Sequence, residues 1–374
     1  MDAQSGSEDA SDLLSTFENL LEMNPNIDEI GFVHPLQFPI LGSSESSRYF
    51  WVGDGKLGIS TDIIVHLYRA AKNAFIAALR TTSFNEQLVM VHSKAVLLLN
   101  SDFATAWNAR KLIVCKKQDF SGFIGELKLS AIVLSNSPKS DQVWCHRRWA
   151  VKMIAGKYAM FPDVVKEESE LVEKLVERSK MNYRAWNHRC WLVSYMSREQ
   201  VIHELDKGKS WASKNVADHS CFHYRHKLLI FYIDRYCLEH IEHNSTSSSE
   251  VNQIVQEELD WNEQLIKKYI GREALWLYRR LLALFWAKLA TNVDYQSFLH
   301  NELHVVNSCL TIHAKDFGDF EAQALHSAVY FLWLMKNGIK LQDDLSAKLR
   351  AEDLKALLHE KFPERSSLWM QFQL

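Results

Sequence analysis

An aromatic residue followed three positions later by arginine recurs five times in this chain, and the recurrence constrains the fold more than any other feature. The copies are Trp107/Arg110 in "ATAWNARKL", Trp144/Arg147 in "DQVWCHRRW", Trp186/Arg189 in "YRAWNHRCW", Phe222/Arg225 in "HSCFHYRHK" and Trp276/Arg279 in "EALWLYRRL", starting 37, 42, 36 and 54 residues apart. Self-similarity at such a period marks a stack of supersecondary units, each burying its apolar face only against its neighbours. The widest gap contains the polar stretch "EHNSTSSSEV", which reads as a surface loop.

The units are helical. Of six prolines three lie in the first 40 residues, and six of thirteen glycines precede residue 60. The remaining chain has too few turn formers for a β-protein. Each signature follows an amphipathic stretch, clearest in "VVKEESELVEKLVERSK", where Val164, Val165, Leu171, Val172, Leu175 and Val176 share a helical face with the charges expected opposite. Each unit is thus a helical hairpin. The expected fold is all-α, an α-α superhelix in which hairpins stack as a crescent solenoid. Residues 1–80 are expected to form an acidic tail and a non-repeat cap. Residues 81–374 would form the solenoid, clear over about 85–290 and degenerate over about 297–374, because end units are atypical.

Aromatic and arginine, three positions apart, share one side of a helix. Their recurrence assigns them to architecture: the ring wedges between hairpins, and the guanidinium lays its stem along the packed surface and bonds carbonyls or acids nearby. With 43 Lys and Arg against 46 Asp and Glu the net charge is -3, which gives no reason to expect nucleic acid as a partner. Residues 1–47 lack Lys and Arg altogether, which argues against a basic transit peptide and for a cytoplasmic protein. No apolar run is long enough to span a bilayer. The six cysteines are scattered, without a C-x-x-C pair, and read as reduced thiols. His219, His223 and His226 have helical-face spacing, but repeat register accounts for the last two and a fourth zinc ligand is missing, so no metal is assigned to this chain.

No nucleophile elbow, phosphate loop or H-E-x-x-H occurs. What exceeds the needs of architecture is a pair of turns before two tryptophans, "PKSD" and "MNYR", which place Lys139, Asn182, Tyr183 and Arg184 at the mouths of successive second helices. Helix N-termini and cations together favour a phosphate group.

These hairpins, best seen in "PKSDQVWCHRRW" and "KMNYRAWNHRCW", resemble the repeat of protein prenyltransferase alpha subunits, approximately P-x-N-Y-x-x-W-x-x-R. The resemblance implies a crescent alpha subunit wrapped around a beta subunit that holds zinc and the isoprenoid pocket. The partner it implies is the Rab-type geranylgeranyltransferase beta subunit. Together they would transfer a geranylgeranyl group from its diphosphate to a cysteine thiol of acceptor proteins, and the alpha chain would be inactive alone. Lys139 matches the family lysine that reaches the diphosphate, and is the expected catalytic cation. Asn182, Tyr183 and Arg184 match the interface turn of the third repeat. Asp141 replaces a family tyrosine, Met181 a lysine and Arg184 a histidine, and Arg184 is read as a replacement cation. The alternative is a non-catalytic scaffold of tetratricopeptide type, against which the uneven spacing and the arginines speak.

Overall fold

In the computed structural model the residues described are 2–40, 49–81, 85–236, 245–289, 292–310, 318–337, 352–353, 355–356, 358–360 and 363–370. They gather into two compact units, Met1–Met196 and Ser197–Leu374.

The first unit opens with helix α1 (Asp2–Met23), strand β1 (Glu29–Val33) and the hairpin β2 (Phe50–Gly53) and β3 (Lys56–Ser60). The strand order is β1-β3-β2, with β1 parallel and β2 antiparallel to β3. Asp54 and Gly55, both at positive φ (50° and 74°), close the hairpin in two residues, the backbone that matches strand twist. The expected acidic tail is corrected here. Leu14, Phe17 and Leu21 fall at helical spacing and are buried, Phe17 stacks on Phe50 with centroids 5.6 Å apart, and α1 packs on the two helices after the sheet. A tail with that apolar stripe has a face to bury, and charge composition alone conceals it.

Those two helices, α2 (Ile64–Arg80) and α3 (Glu86–Leu99), precede α4 (Ala104–Lys117), α5 (Phe120–Asn136), α6 (Asp141–Ile154), α7 (Phe161–Arg178) and α8 (Tyr183–Leu192). The aromatic-arginine signatures lie on α4, α6 and α8, the second helices of hairpins α3–α4, α5–α6 and α7–α8. First helices pack on first helices (α3 on α5, α5 on α7), and α6 packs on α8. This is side-by-side stacking of hairpins. Strand β1 lies against α5, where Ile30 N donates to Ser135 Oγ at 3.0 Å.

The second unit continues the pattern with α9 (Arg198–Lys214), α10 (His219–Tyr236), α11 (Ser245–Lys268), α12 (Glu273–Leu289), α13 (Asn292–Leu310) and α14 (Gly318–Lys336), and α10, α12 and α14 pack in succession. The serine-rich stretch expected as a loop is helical from Ser245 onward, opening α11. Serine disfavours helix interiors only weakly, and the helix is tied down where Glu250 accepts from Arg198 and from the Tyr232 hydroxyl. Most of the degenerate C-terminal pair, like Cys237, lies outside the described residues; a short helix covers Ser366–Met370. No helix among the described residues is long and apolar enough to cross a membrane.

Candidate functional site

The site is built on a buried scaffold that repeats with the hairpins. All five signature aromatics are buried, Trp107, Trp144, Trp186, Phe222 and Trp276, and so are Arg110, Arg147, Arg189, Arg225 and Arg279. A buried guanidinium is tolerable only if its donors are used. Arg147 shows how. Its Nη1 donates to Leu127 O (2.6 Å) and Ser130 Oγ (2.8 Å), while Nε and Nη2 fork onto the Glu168 carboxylate of the next hairpin. Arg110 repeats this on Met90 O, Ser93 Oγ and Glu126. Arg225 does so on Leu205 O and Glu258, and Arg279 on Leu259 O, Asn262 and Glu302.

Glu126, Glu168, Glu204 and Glu258 each meet a donor from the residue just before the next arginine, and Glu302 meets one from Tyr330, which no arginine follows. His146 Nε2 meets Glu126 Oε2 at 2.9 Å and His188 Nε2 meets Glu168 Oε2 at 2.9 Å. Tyr224 and Tyr278 hydroxyls donate to Glu204 and Glu258 at 2.6 and 2.7 Å, and Tyr330 to Glu302 at 2.6 Å. The rings of this second donor pack on the preceding aromatic, His146 on Trp107 with centroids 4.3 Å apart and His188 on Trp144 at 4.9 Å. Burial raises the Glu126 and Glu168 pKa, but the charges of Arg110 and Arg147 and the histidine hydrogen bonds outweigh it and hold both at about 2. Burial lowers the pKa of His146 and His188, against the pull of their acids.

The charges of α7 were expected on the exposed face, and Glu168 departs from that: it is buried because Arg147 requires it. Sequence reasoning missed the acid and the His/Tyr donor. A signal for them exists, since Glu126, Glu168, Glu204 and Glu258 each stand 21 residues before Arg147, Arg189, Arg225 and Arg279.

The turns at the mouths of α6 and α8 are set by their caps. Ser140 caps α6, accepting from Val143 N, and its hydroxyl donates to Asp102 Oδ1 at 2.6 Å, in the turn before α4. Asn182 caps α8, its Oδ1 accepting from Ala185 N at 3.2 Å. Its Nδ2 reaches across to Pro138 O at 2.9 Å, the same carbonyl that takes the Trp144 indole N–H at 3.0 Å. Met181, at φ 56°, makes the bend that allows this.

Lys139 sits between these anchors, exposed, and no other described residue takes its ammonium in a hydrogen bond or ion pair. Asn182 is buried and spent on the cap and on Pro138. Tyr183 is exposed, with the Arg184 guanidinium 5.1 Å from its ring centroid. Arg184 forks onto Asp141, Nη2 to Oδ2 at 2.8 Å and Nε to Oδ1, and that bond holds the Asp141 carboxyl below its usual range. Two of the three departures from the repeat pattern, Asp141 and Arg184, are therefore partners. Arg184 meets a carboxylate of its own chain.

His223 and His226 have ring centroids 6.3 Å apart, and burial lowers the His226 pKa to about 4. No group of three or more His, Cys, Asp or Glu among the described residues could hold a metal ion.

Stacked hairpins carrying this Trp, Arg and Glu scaffold define a class, and sequence comparison names it. The sequence model of the protein prenyltransferase alpha subunit repeat matches residues 124–154 and 165–196, the hairpins whose mouths hold Lys139 and Asn182–Arg184. Those two hairpins carry the protein prenyltransferase alpha subunit repeat, and the chain is similar to proteins described by it. It is 29% identical over 307 residues to the Homo sapiens protein prenyltransferase alpha subunit repeat-containing protein 1, covering 70% of this chain and 74% of that one. It is 23% identical over 307 residues to the geranylgeranyl transferase type-2 subunit alpha of Candida albicans, covering 70% and 79%. With the Rattus norvegicus protein of the same description it shares 26% over 170 residues, 44% of this chain and 29% of that one.

Proposed function

We propose that this chain is the alpha subunit of a cytoplasmic heterodimeric protein geranylgeranyltransferase, with a beta subunit of the Rab type. The observation that carries the reading is the exposed, uncommitted Lys139 ammonium at the mouth of α6, within the hairpin that the alpha-subunit repeat matches. Zinc on the beta subunit would supply the acceptor cysteine as its thiolate. The thiolate sulfur forms a bond to the first carbon of geranylgeranyl diphosphate while the carbon–oxygen bond to the diphosphate breaks.

Negative charge grows on the departing diphosphate, and a cation held there lowers the barrier most where the charge is largest. Lys139 supplies that cation. Its turn is gripped through Pro138 and Ser140 on either side, so the ammonium is delivered from fixed backbone rather than from a loose loop, which limits the ordering needed at the moment of reaction.

The test is co-expression with a Rab-type beta subunit, followed by a prenyl-transfer assay with geranylgeranyl diphosphate and acceptor proteins. Lys139→Ala is expected to leave the heterodimer intact and lower kcat, because a group used mainly in the transition state is felt there. A complex that forms and never transfers isoprenoid would leave the chain a helical scaffold; an unchanged kcat would remove Lys139 from the mechanism.

A further inference from the structure

The turn that carries Lys139 is held from both sides. From the preceding hairpin, Asp102 takes the Ser140 hydroxyl at 2.6 Å. From the following one, Asn182 bonds Pro138 O at 2.9 Å and Arg184 forks onto Asp141, two residues beyond the lysine. The first two contacts are made by residues that cap helices, Ser140 on α6 and Asn182 on α8, and the second also satisfies a backbone carbonyl. The fork serves no such need. It lies at the surface, with side chains 30% and 64% exposed, where an ion pair contributes little to stability. What a bidentate guanidinium–carboxylate pair supplies there is geometry, since two parallel bonds fix both position and orientation.

The same fork decides what Arg184 can offer a ligand. Its Nε and Nη2 are aimed at Asp141, its plane lies near Tyr183, and its charge is offset by the carboxylate beside it. We propose that Arg184 is a positioning residue for Lys139, acting through Asp141, and that it does not itself contact the diphosphate. Asp141 and Arg184 work as one device, which orients the first turn of α6 and with it the Lys139 backbone. This rests on the assignment of Lys139 to the leaving diphosphate. The fork itself can be tested without it.

The two roles for Arg184 predict opposite behaviour of Asp141. If the fork positions the turn, Asp141→Ala and Arg184→Ala should each lower kcat of the co-expressed heterodimer by the same factor, roughly three- to tenfold, with KM for the isoprenoid diphosphate little changed. The double variant should be no slower than either single one. Arg184→Lys, which keeps the charge and loses the fork, should behave like Arg184→Ala. If instead Arg184 bound the diphosphate, Asp141→Ala would free the guanidinium and lower KM, and Arg184→Lys would retain activity.

A second measurement uses this chain alone: hydrogen exchange of the amides of residues 139–143. Both alanine variants should speed exchange there equally, and the double variant no further. Additive kinetic losses, a tighter KM in Asp141→Ala, or exchange that does not change would each overturn the proposal. A heterodimer without transfer activity would remove the role of Lys139, while the exchange result would still stand for or against the fork.

Discussion

Glu168→Ala isolates what the buried scaffold contributes. The Glu168 carboxylate is 2% exposed and accepts from Arg147 Nε at 3.1 Å, from Arg147 Nη2 and from His188 Nε2 at 2.9 Å. Removing it leaves the Arg147 guanidinium buried with only Leu127 O and Ser130 Oγ as partners. Breaking one side of a buried pair costs about 3–5 kcal/mol, because the surviving charge stays desolvated. For a unit of 196 residues a loss of about 4 kcal/mol lowers Tm by roughly 8–16 °C. Urea denaturation followed by circular dichroism, with a thermal scan beside it, reads the loss directly. Arg147→Met combined with Glu168→Leu removes both charges and should recover part of it, since apolar replacements of comparable volume are often neutral. A single Glu168→Ala loss under about 1 kcal/mol, the range of exposed pairs, would refute the claim that this network holds adjacent hairpins together.

Acid should act on the same network. The His146 and His188 pKa values are lowered in the folded chain, so their contribution is complete above the ordinary histidine value and falls as the pH drops below it, when the unfolded chain takes up the protons first. Glu126 and Glu168, held at about 2, add a second loss between the ordinary carboxylate range and pH 2. Denaturation midpoints measured from pH 7 to pH 4 should fall, and the fall should flatten in a His146→Tyr/His188→Tyr variant that uses the donor found in Tyr224 and Tyr278. Gly271 sits at φ 76° and a Cβ there would lie 2.7 Å from Asp319 O, so Gly271→Ala should destabilise by more than about 1 kcal/mol in urea titration. Two residues inserted after Gly156, where the chain has open space, should cost under about 1 kcal/mol, and the same insertion after Lys180 should cost more, by breaking the turn that holds Pro138 O; equal losses would contradict the register argument.

The hairpin stack was legible because it is written in large, infrequent residues at one separation. A buried Trp and a buried Arg three positions apart leave little choice of helix face, and the five pairs from Trp107/Arg110 to Trp276/Arg279 all landed in the core. The acids were not legible by looking forward from each arginine: Glu126 follows Arg110 by 16 residues and Glu258 follows Arg225 by 33. That segment includes the variable connection between hairpins. Counted backward from the next arginine, the spacing is constant, because both residues belong to one hairpin. At the mouths, the composition of "PKSD" and "MNYR" pointed to the right turns but not to their wiring. Asp141 and Arg184 are 43 residues apart and meet only because α6 packs on α8.

This division of spacing explains where the chain can vary. In the hairpin of Glu126 and Arg147 the two must keep their 21-residue separation, because one bonds the hairpin before and the other the hairpin after; a shift of one residue would rotate a charge out of its socket by about 100° on a helix of 3.6 residues per turn. Between hairpins no such tie exists, so a stretch as polar as the one that opens α11 can be added without disturbing the pairs on either side. The mouths lie outside the socketed positions altogether. A tyrosine and a histidine of the family repeat can therefore become Asp141 and Arg184 without loss of the stack. That freedom allows a turn built for one set of contacts to be rewired while Lys139 stays in place.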